Sequence, residues 1–193
     1  MRHLPRLILL AATAVILTAC AQGTQTLRLS PTPAAVESLV GSGQSLGLTV
    51  EDARTDRDLG MLENPDGSIA RLMPAQQITY TLQLAAAETL RGYDFEPSLW
   101  DEARTPRLEI RIETLDHQVT AGVPYELATE VALTATGYAN GQRYTTRSGT
   151  TLTRQRPLPP TADANADAIN TALSRALGQL LDDELARFLA TGR

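Results

Sequence analysis

The chain has 193 residues, with 17 basic residues, 22 acidic residues and a formal net charge of −5. All the basic residues are arginines, and there is one cysteine and one tryptophan, with two phenylalanines and five tyrosines. The acidic balance argues against nucleic acid as a partner, because binding to phosphates needs an excess of basic side chains. A single cysteine excludes an intramolecular disulfide, and the few aromatic residues argue against an aromatic sugar-binding platform.

Residues 1–19 have the pattern of a secretory signal peptide. Arg2 and Arg6 precede an apolar run over residues 7–17, and small residues lead up to Cys20. The apolar segment is shorter than the roughly 20 residues that a transmembrane helix needs, so a signal peptide is favoured over a membrane span. A signal peptide cut at another bond would leave an unpaired cysteine in an oxidising compartment.

Cys20, placed directly after the small residues, resembles the lipobox cysteine of bacterial lipoproteins. The resemblance implies that the signal is cut before Cys20, that the thiol carries a diacylglycerol, and that the new amine carries an acyl chain such as palmitate. Ala21 and Gln22 follow, with no aspartate. By resemblance to sorting in enteric-type bacteria, this implies the outer membrane, with the protein facing the periplasm. Without Arg2 and Arg6, 15 arginines remain against 22 acidic residues, a net charge of −7.

Residues 20–45 are predicted to form the lipidated N-terminus and a flexible tether, because they contain Pro31, Pro33 and the Gly-Ser-Gly spacer at 41–43. The alternating residues 27–29 are either part of this tether or a short edge strand. Residues 46–193 are expected to form a single domain, long enough to bury a core without a disulfide.

The first half of this domain is predicted to contain a strand, a hairpin and a helix. Residues 46–50 alternate between apolar and small or polar side chains, which predicts a strand. The turn sequence at 64–67 predicts a hairpin over 61–73. Apolar spacing of three and four residues, followed by Gly92, predicts a helix from about Ala75 to Arg91. The stretch 94–106 is expected to be irregular.

Trp100, inside this irregular stretch, is expected to cap one end of the core, and a ligand platform is the alternative interpretation.

The second half is predicted to be a three-stranded meander followed by a long helix. Apolar residues at 108, 110 and 112 alternate with charged ones, and the strand is expected to end before a turn at 116–118. A second strand runs to about Ala139, the Asn140-Gly141 pair predicts a tight hairpin, and the third strand covers 142–154. Acidic residues at 163–167 and an apolar stripe over 169–189 predict one long helix that bends near Gly178. The helix is expected to cover the sheet, and partner binding is the alternative interpretation.

These elements predict an α+β fold with a small antiparallel or mixed sheet in β-hairpin-α-βββ-α order, and with two helices packed on one face. The order and several local matches resemble the YajG family of bacterial outer-membrane lipoproteins. The matching stretches are 46–56, 90–93, 140–141 and 165–170, whereas 95–105 is longer and more acidic than the family pattern. The resemblance implies an envelope lipoprotein without an established activity.

Two sets of charged residues are the candidate partner-contact surface. They are the loop residues Asp52, Arg54 and Asp56, and the outward-facing strand residues Arg107, Glu109, Arg111 and Glu113. Paired carboxylates for acid–base chemistry are the alternative interpretation of the loop. A solvated, self-neutralised loop is favoured, because no histidine, cysteine or serine motif accompanies it.

His117, the single histidine of the mature chain, falls in the predicted turn and is interpreted as a surface residue. With no metal-ligand spacing and no phosphate-binding loop in the sequence, we expect no metal and no cofactor besides the lipid on Cys20.

The favoured hypothesis is a non-catalytic binding or structural accessory domain, held at the membrane by its lipid and bound to an unidentified envelope protein. The alternative is a transport-auxiliary lipoprotein that carries a lipid or glycolipid, which predicts an apolar groove between helices and sheet. An enzyme acting on cell-wall glycan is disfavoured, because nothing selects two of the scattered carboxylates as a catalytic pair.

Overall fold

The computed structural model describes residues 23–36, 38–103 and 105–192. The predicted signal peptide and the lipid-attachment residue Cys20 lie outside the described residues. Within the described ranges, no helix is both long enough and apolar enough to cross a bilayer.

Within these ranges the chain forms a mixed eight-stranded sheet and three helices, which confirms the predicted α+β class. The strands are β1 (Gln25–Leu27), β2 (Gln44–Asp52), β3 (Gly60–Glu63), β4 (Ile69–Pro74), β5 (Phe95–Leu99), β6 (Arg107–Thr120), β7 (Tyr125–Ala139) and β8 (Gln142–Arg156). The helices are α1 (Ile78–Gly92), between β4 and β5, and then α2 (Ala162–Leu180) and α3 (Asp183–Thr191) after β8.

The sheet forks at β6. One edge of β6 pairs antiparallel with β7, which in turn pairs with β8, as the predicted meander requires. The other edge is shared, because residues 107–112 pair parallel with β2 and residues 117–119 pair parallel with β3. The first branch continues to β5, and the second continues through β4 to β1.

A β-bulge between Ile112 and Thr114 keeps both halves of β6 facing the core. Before the bulge the buried residues are at 108, 110 and 112, and after it they are at 115, 117 and 119. The extra residue therefore changes the parity of the inward-facing positions. Without the bulge, a strict alternation would turn residues 115, 117 and 119 outward, so the sequence pattern no longer indicates a strand there. The predicted turn at 116–118 is wrong, because these residues belong to β6.

The helices cover one face of the sheet. α1 packs on β2 and β5, while α2 and α3 pack on β7 and β8. Leu82 of α1 and Leu173 and Leu177 of α2 are fully buried against the sheet. The opposite face of β6, β7 and β8 carries most of the exposed polar side chains of these strands, as the alternating pattern predicts.

The predicted C-terminal helix is in fact two helices, so the sheet is covered by three helices rather than two. The Asp182 carboxylate accepts a hydrogen bond of 2.8 Å from the backbone N–H of Leu185 and caps the start of α3. The break therefore follows Leu180, and Gly178 lies within α2. The apolar stripe continues through the break, which is why periodicity alone predicts one helix.

The segment predicted to be irregular contains the edge strand β5, which pairs parallel with β2. Phe95 is buried at its start, and Pro97 is tolerated because β5 has a partner on one side only.

The expectation of a flexible tether over residues 20–45 is wrong for residues 25–34. β1 pairs with β4, and Leu27 and Leu29 are buried in the core. The alternative prediction of a short edge strand is correct, but the strand covers residues 25–27 rather than 27–29. β2 likewise begins at Gln44 rather than Leu46.

Beyond β1 the segment is held by hydrogen bonds from alternate residues. The N–H groups of Ser30, Thr32 and Ala34 donate to the side chains of Asn170, Ser174 and Thr89 at 2.8, 2.8 and 3.1 Å. Pro31 and Pro33 lie between these donors, at positions where no N–H is needed. The prolines thus exclude a helix but fit an extended strap across α1 and α2.

Gly60 provides a test of the fork, since its backbone has φ of +143° and an added Cβ would overlap the carbonyl group of His117. Gly67 also has positive φ, at +79°, but an added Cβ there meets nothing within 4 Å. We expect Gly60→Ala to lower the free energy of unfolding by roughly 3 kcal/mol or more, and Gly67→Ala by about 1 kcal/mol. Urea unfolding measures both, and equal losses would contradict the close approach of β3 to β6.

Candidate functional site

A surface cleft of about 510 Å³ lies at the fork of the sheet, and we refer to it as the fork cleft. It is formed by the β2–β3 connection, by β3 and β4, and by the second half of β6. Its lining contains four carboxylates, two arginines and several polar or apolar residues: Asp56, Asp58, Glu113, Asp116, Arg54, Arg71, Thr55, Gly60, Met61, Thr114, Leu115 and Gln118.

Arg54 forms the floor of the fork cleft. Its Nε and Nη2 atoms donate to the two carboxylate oxygens of Asp52, each at 2.9 Å, in a bidentate pair. Its Nη1 atom donates to the backbone carbonyls of Asp58 at 2.8 Å and Leu115 at 3.0 Å. The guanidinium therefore joins the end of β2, the loop before β3 and the part of β6 just after the bulge.

The Asp52–Arg54 pair is buried, with side-chain exposures of 7% and 6%. Burial by itself would raise the pKa of Asp52, but hydrogen bonds from Arg54 and Arg57 outweigh this effect and hold the pKa below its usual range. Arg57 is 62% exposed and reaches the same carboxylate at 2.8 Å. Asp52 is thus held ionised as the counterion of Arg54, which does not suit a proton donor.

The predicted contact surface is therefore only partly available to a partner. Asp52 and Arg54 are self-neutralised, as expected, but the expectation that they are solvated is wrong. Asp56 is exposed and lies on the fork cleft together with Glu113. Nothing in the alternating charges of residues 51–58 distinguishes the buried Arg54 from the exposed Arg57.

The strand residues of the predicted surface are divided between two places. Glu113, at the bulge, belongs to the fork cleft, and Arg111 lies beside it with Nε 3.9 Å from a Glu113 carboxylate oxygen and 3.6 Å from one of Glu51. Arg107 and Glu109 are half-buried and lie farther back along β6. The structure therefore brings Asp56 and Glu113 together in the fork cleft, places Arg111 beside Glu113, and leaves Arg107 and Glu109 apart from them.

Arg107 belongs to a separate aromatic cluster at the start of β6. Its guanidinium carbon lies 5.4 Å from the ring centre of Trp100 and 4.7 Å from that of Tyr138. The two rings meet edge to face at 6.3 Å. Trp100 thus packs on the polar face of the sheet, where the cation–π contact with Arg107 gives its partly exposed ring a partner. The prediction that Trp100 caps one end of the core is therefore wrong.

His117 is fully buried in β6, so its interpretation as a surface residue is wrong. The Pro160 carbonyl can only accept, so Gln25 donates to it through Nε2 and accepts from Asn165 Nδ2 at 2.8 Å. Asn165 Oδ1 then faces His117 Nε2 at 3.2 Å, which places the imidazole proton on Nε2. Nδ1 accepts from the Thr129 hydroxyl at 2.7 Å.

This hydrogen-bond chain connects β1, β6, β7 and α2 through a neutral imidazole. Burial lowers the pKa of His117 below its usual range, and the opposing effects of the Asn165 hydrogen bond and the negative charge of Asp116 do not cancel it. The positive charge of Arg154 acts in the same direction as burial. His117 therefore serves the fold, and its Nδ1 lone pair already has a donor.

The described residues include no group of three or more histidine, cysteine, aspartate and glutamate side chains placed to hold a metal ion.

Residues 31–190 match the model of a protein family described as uncharacterized lipoprotein. The chain belongs to this lipoprotein family. The match agrees with the bacterial lipoprotein family that the sequence resembles, and it covers most of the domain and residues 31–34 of the extended strap. A search of curated proteins finds no match.

The chain is similar to solved structures at low sequence identity, and those with TM-scores of 0.50 and 0.52 share its fold. Protein XCC0632 from Xanthomonas campestris, assigned to DUF330, is 20% identical with a TM-score of 0.52, over 88% of this chain and 95% of that one. A second, uncharacterized protein is 9% identical with a TM-score of 0.50, over 81% of this chain and 96% of that one. A minor lipoprotein from Acinetobacter baumannii is 16% identical with a TM-score of 0.36, over 80% and 95%.

The buried ion pair predicts very different effects for two neighbouring arginines. Arg54→Met leaves Asp52 buried without its main partner and should lower the free energy of unfolding by about 3–5 kcal/mol. Arg57→Met removes an exposed contact to the same carboxylate and should cost about 0–1 kcal/mol. Urea unfolding at pH 7 measures both variants, and a small, equal loss for the two would show that Arg54 is solvated.

The buried imidazole predicts that stability falls in mild acid. Because the pKa of His117 is lower when folded, the unfolded chain binds the proton first, and stability declines as pH falls below about 6.5, by at most about 1.4 kcal/mol per pH unit. Asp52, whose pKa is also lowered, weakens the fold only in stronger acid, below about pH 4. In His117→Gln the decline between pH 6.5 and 5 should disappear, as followed by urea unfolding of the mature chain. If stability declined equally with pH in His117→Gln and in the unmodified chain, His117 would not be the cause of the decline.

Proposed function

We propose that the protein is a lipid-anchored accessory protein of the bacterial envelope, without catalytic activity. In this proposal Cys20 carries the diacylglycerol and the acyl chain, the outer membrane holds the anchor, and the domain faces the periplasm. Membership of a lipoprotein family and the position of Cys20 after an apolar leader support the anchor. Ala21 and Gln22 support the outer membrane. No cofactor beyond the lipid is proposed.

The fork cleft carries the proposal that the domain binds another protein. Its lining has four carboxylates against two arginines, and both arginines pair with aspartates, Arg54 with Asp52 and Arg71 with Asp58. A surplus of negative charge therefore remains on Asp56 and Asp116, and in part on Glu113, which shares the neighbouring Arg111 with Glu51. Met61 adds an apolar patch, since its side chain is 46% exposed. A basic segment with an apolar side chain is the complementary partner.

The use of the polar residues supports a binding role over an enzymatic one. Asp52 and Arg54 stabilise each other beneath the fork cleft, and His117 is occupied on both ring nitrogens. The residues that are most suited to acid–base chemistry thus hold the scaffold in place. A preformed surface of this kind lowers the entropic cost of binding a partner.

The lipid-carrier alternative receives no support from the packing. It requires an apolar groove between the helices and the sheet, where Leu48, Leu82 and Ile110 on the α1 side and Leu173 and Leu177 on the α2 side are all at most 2% exposed. An acyl chain could enter there only if these close-packed side chains separated.

Photo-crosslinking in intact envelopes tests the proposal. Benzoylphenylalanine at Asp56 or at Glu113 should capture the same protein, and capture should be lost when Asp116→Arg reverses one charge of the cleft. Glu88, on the exposed face of α1, is the matched control position and should capture nothing of that mass.

The same cells test the anchor. Cys20→Ser should move the protein from the membrane fraction to the soluble fraction, and the mass of the N-terminal peptide should lose its acyl chains. Retention of Cys20→Ser in the membrane would contradict the lipid anchor. Capture of the same protein from positions 56, 113 and 88, or capture from none of them, would contradict the proposal that the fork cleft binds the partner.

A further inference from the structure

We propose that the domain stands on the bilayer with one defined end inserted into the lipid interface, through the exposed apolar residues Val123 and Leu158 of two loops and Ile69 at the start of β4. This inference rests on the proposed lipid anchor at Cys20, and it adds an orientation that the anchor alone does not specify.

Strand register brings the three residues to the same end of the sheet, which we call the anchor end. Glu63 pairs with Ile69, Leu62 pairs with Val119, and Tyr125 pairs with Arg156. The β3–β4 turn, the β6–β7 loop and the β8–α2 loop therefore leave the sheet at this end. Gln25, the first residue of β1, pairs with Leu72, so the preceding residues 23 and 24 also emerge there.

Each of these connections carries or adjoins an exposed apolar residue. Val123 is 98% exposed, Leu158 is 73% exposed and Ile69, at the start of β4, is 57% exposed. Pro124, Pro157 and Pro159 flank Val123 and Leu158, so these two loops lack several of the backbone N–H groups that are costly to remove from water. Exposed apolar residues grouped in this way are typical of a surface that meets a partner or a membrane.

The length of chain between Cys20 and the domain identifies the bilayer as the occupant. Three peptide links separate Cys20 from Gly23, which an extended chain spans in about 11 Å at most. β6 alone, with 14 residues, extends for about 45 Å from the anchor end to the opposite end. A lipid on Cys20 therefore keeps the anchor end at the membrane surface.

Exposure alone would not decide the orientation, because Leu39 and Leu99 at the opposite end are also exposed, at 71% and 86%. Charge does not decide it either. Asp66, Glu126 and Asp163 near the anchor end outnumber the exposed Arg156, so anionic lipid would not be attracted. The contact is thus apolar and suits zwitterionic lipid, with the short connection to Cys20 determining which end inserts.

Tryptophan quenching by lipids with brominated acyl chains tests this orientation. The lipidated full chain is purified from membranes and reconstituted into zwitterionic vesicles that contain the brominated lipid. Trp100→Phe removes the native fluorophore, and Val123→Trp or Leu158→Trp then places a single tryptophan at the anchor end. Leu99→Trp in the same background is the matched control, with an exposed apolar site at the opposite end.

Tryptophan at 123 or 158 should be quenched at least twofold more than tryptophan at 99. Equal quenching at the two ends would show that the domain lies parallel to the bilayer surface. Absence of quenching at 123 and 158 would show that the anchor end does not contact the bilayer. Either result would overturn the proposal.

A separate arm distinguishes failure of the anchor from failure of the orientation. The mass of the purified N-terminal peptide reports whether Cys20 is lipidated. If it is not, the mature chain is coupled through Cys20, its sole cysteine, to a maleimide-headgroup lipid, and the quenching is measured in the same way. Preferential quenching at 123 and 158 then still supports the orientation, and its absence still overturns it.

Discussion

The pairing of Arg54 with Asp52 is the contact on which the arrangement of the sheet depends. A sheet that divides into two branches leaves a place where backbone groups of β6 have no neighbouring strand. Arg54 occupies this place and donates to the carbonyls of Asp58 and Leu115 while its charge is neutralised by Asp52. A guanidinium suits this position because its planar set of donors can bind a carboxylate and two carbonyls at once. The fork cleft above Arg54 therefore has a rigid floor.

The bulge in β6 and the guanidinium act together. The bulge lets a single strand serve both branches with its apolar side inward, and Glu113, which lies at the bulge, lines the cleft on the other face. The same backbone irregularity therefore supports the core on one face and places a carboxylate on the other. This coupling explains why the polar cleft and the buried His117 lie on opposite faces of the same few residues.

Much of the fold could be predicted from sequence, because periodicity is a local signal. The hairpins, α1 and the alternation in β7 follow directly from it. What could not be predicted depends on partners far away in the chain. The bulge, the burial of Arg54 and the hydrogen bonds of His117 each need a neighbour that no local pattern identifies. At the candidate site, Asp56 and Glu113 could be selected as charged and exposed, but their meeting in one cleft follows only from the fork.

The strap formed by β1 and residues 28–34 has a consequence for the order in which the protein can fold. Gln25 and Ser30 find hydrogen-bond partners at Pro160 and Asn170, more than 130 residues later in the chain. During synthesis the first strand has no complete binding site until α2 has been made. The N-terminal segment can therefore complete its packing only after most of the chain has been made. Late docking of this segment suits the proposed secretory leader, because an export machinery threads unfolded chain across a membrane.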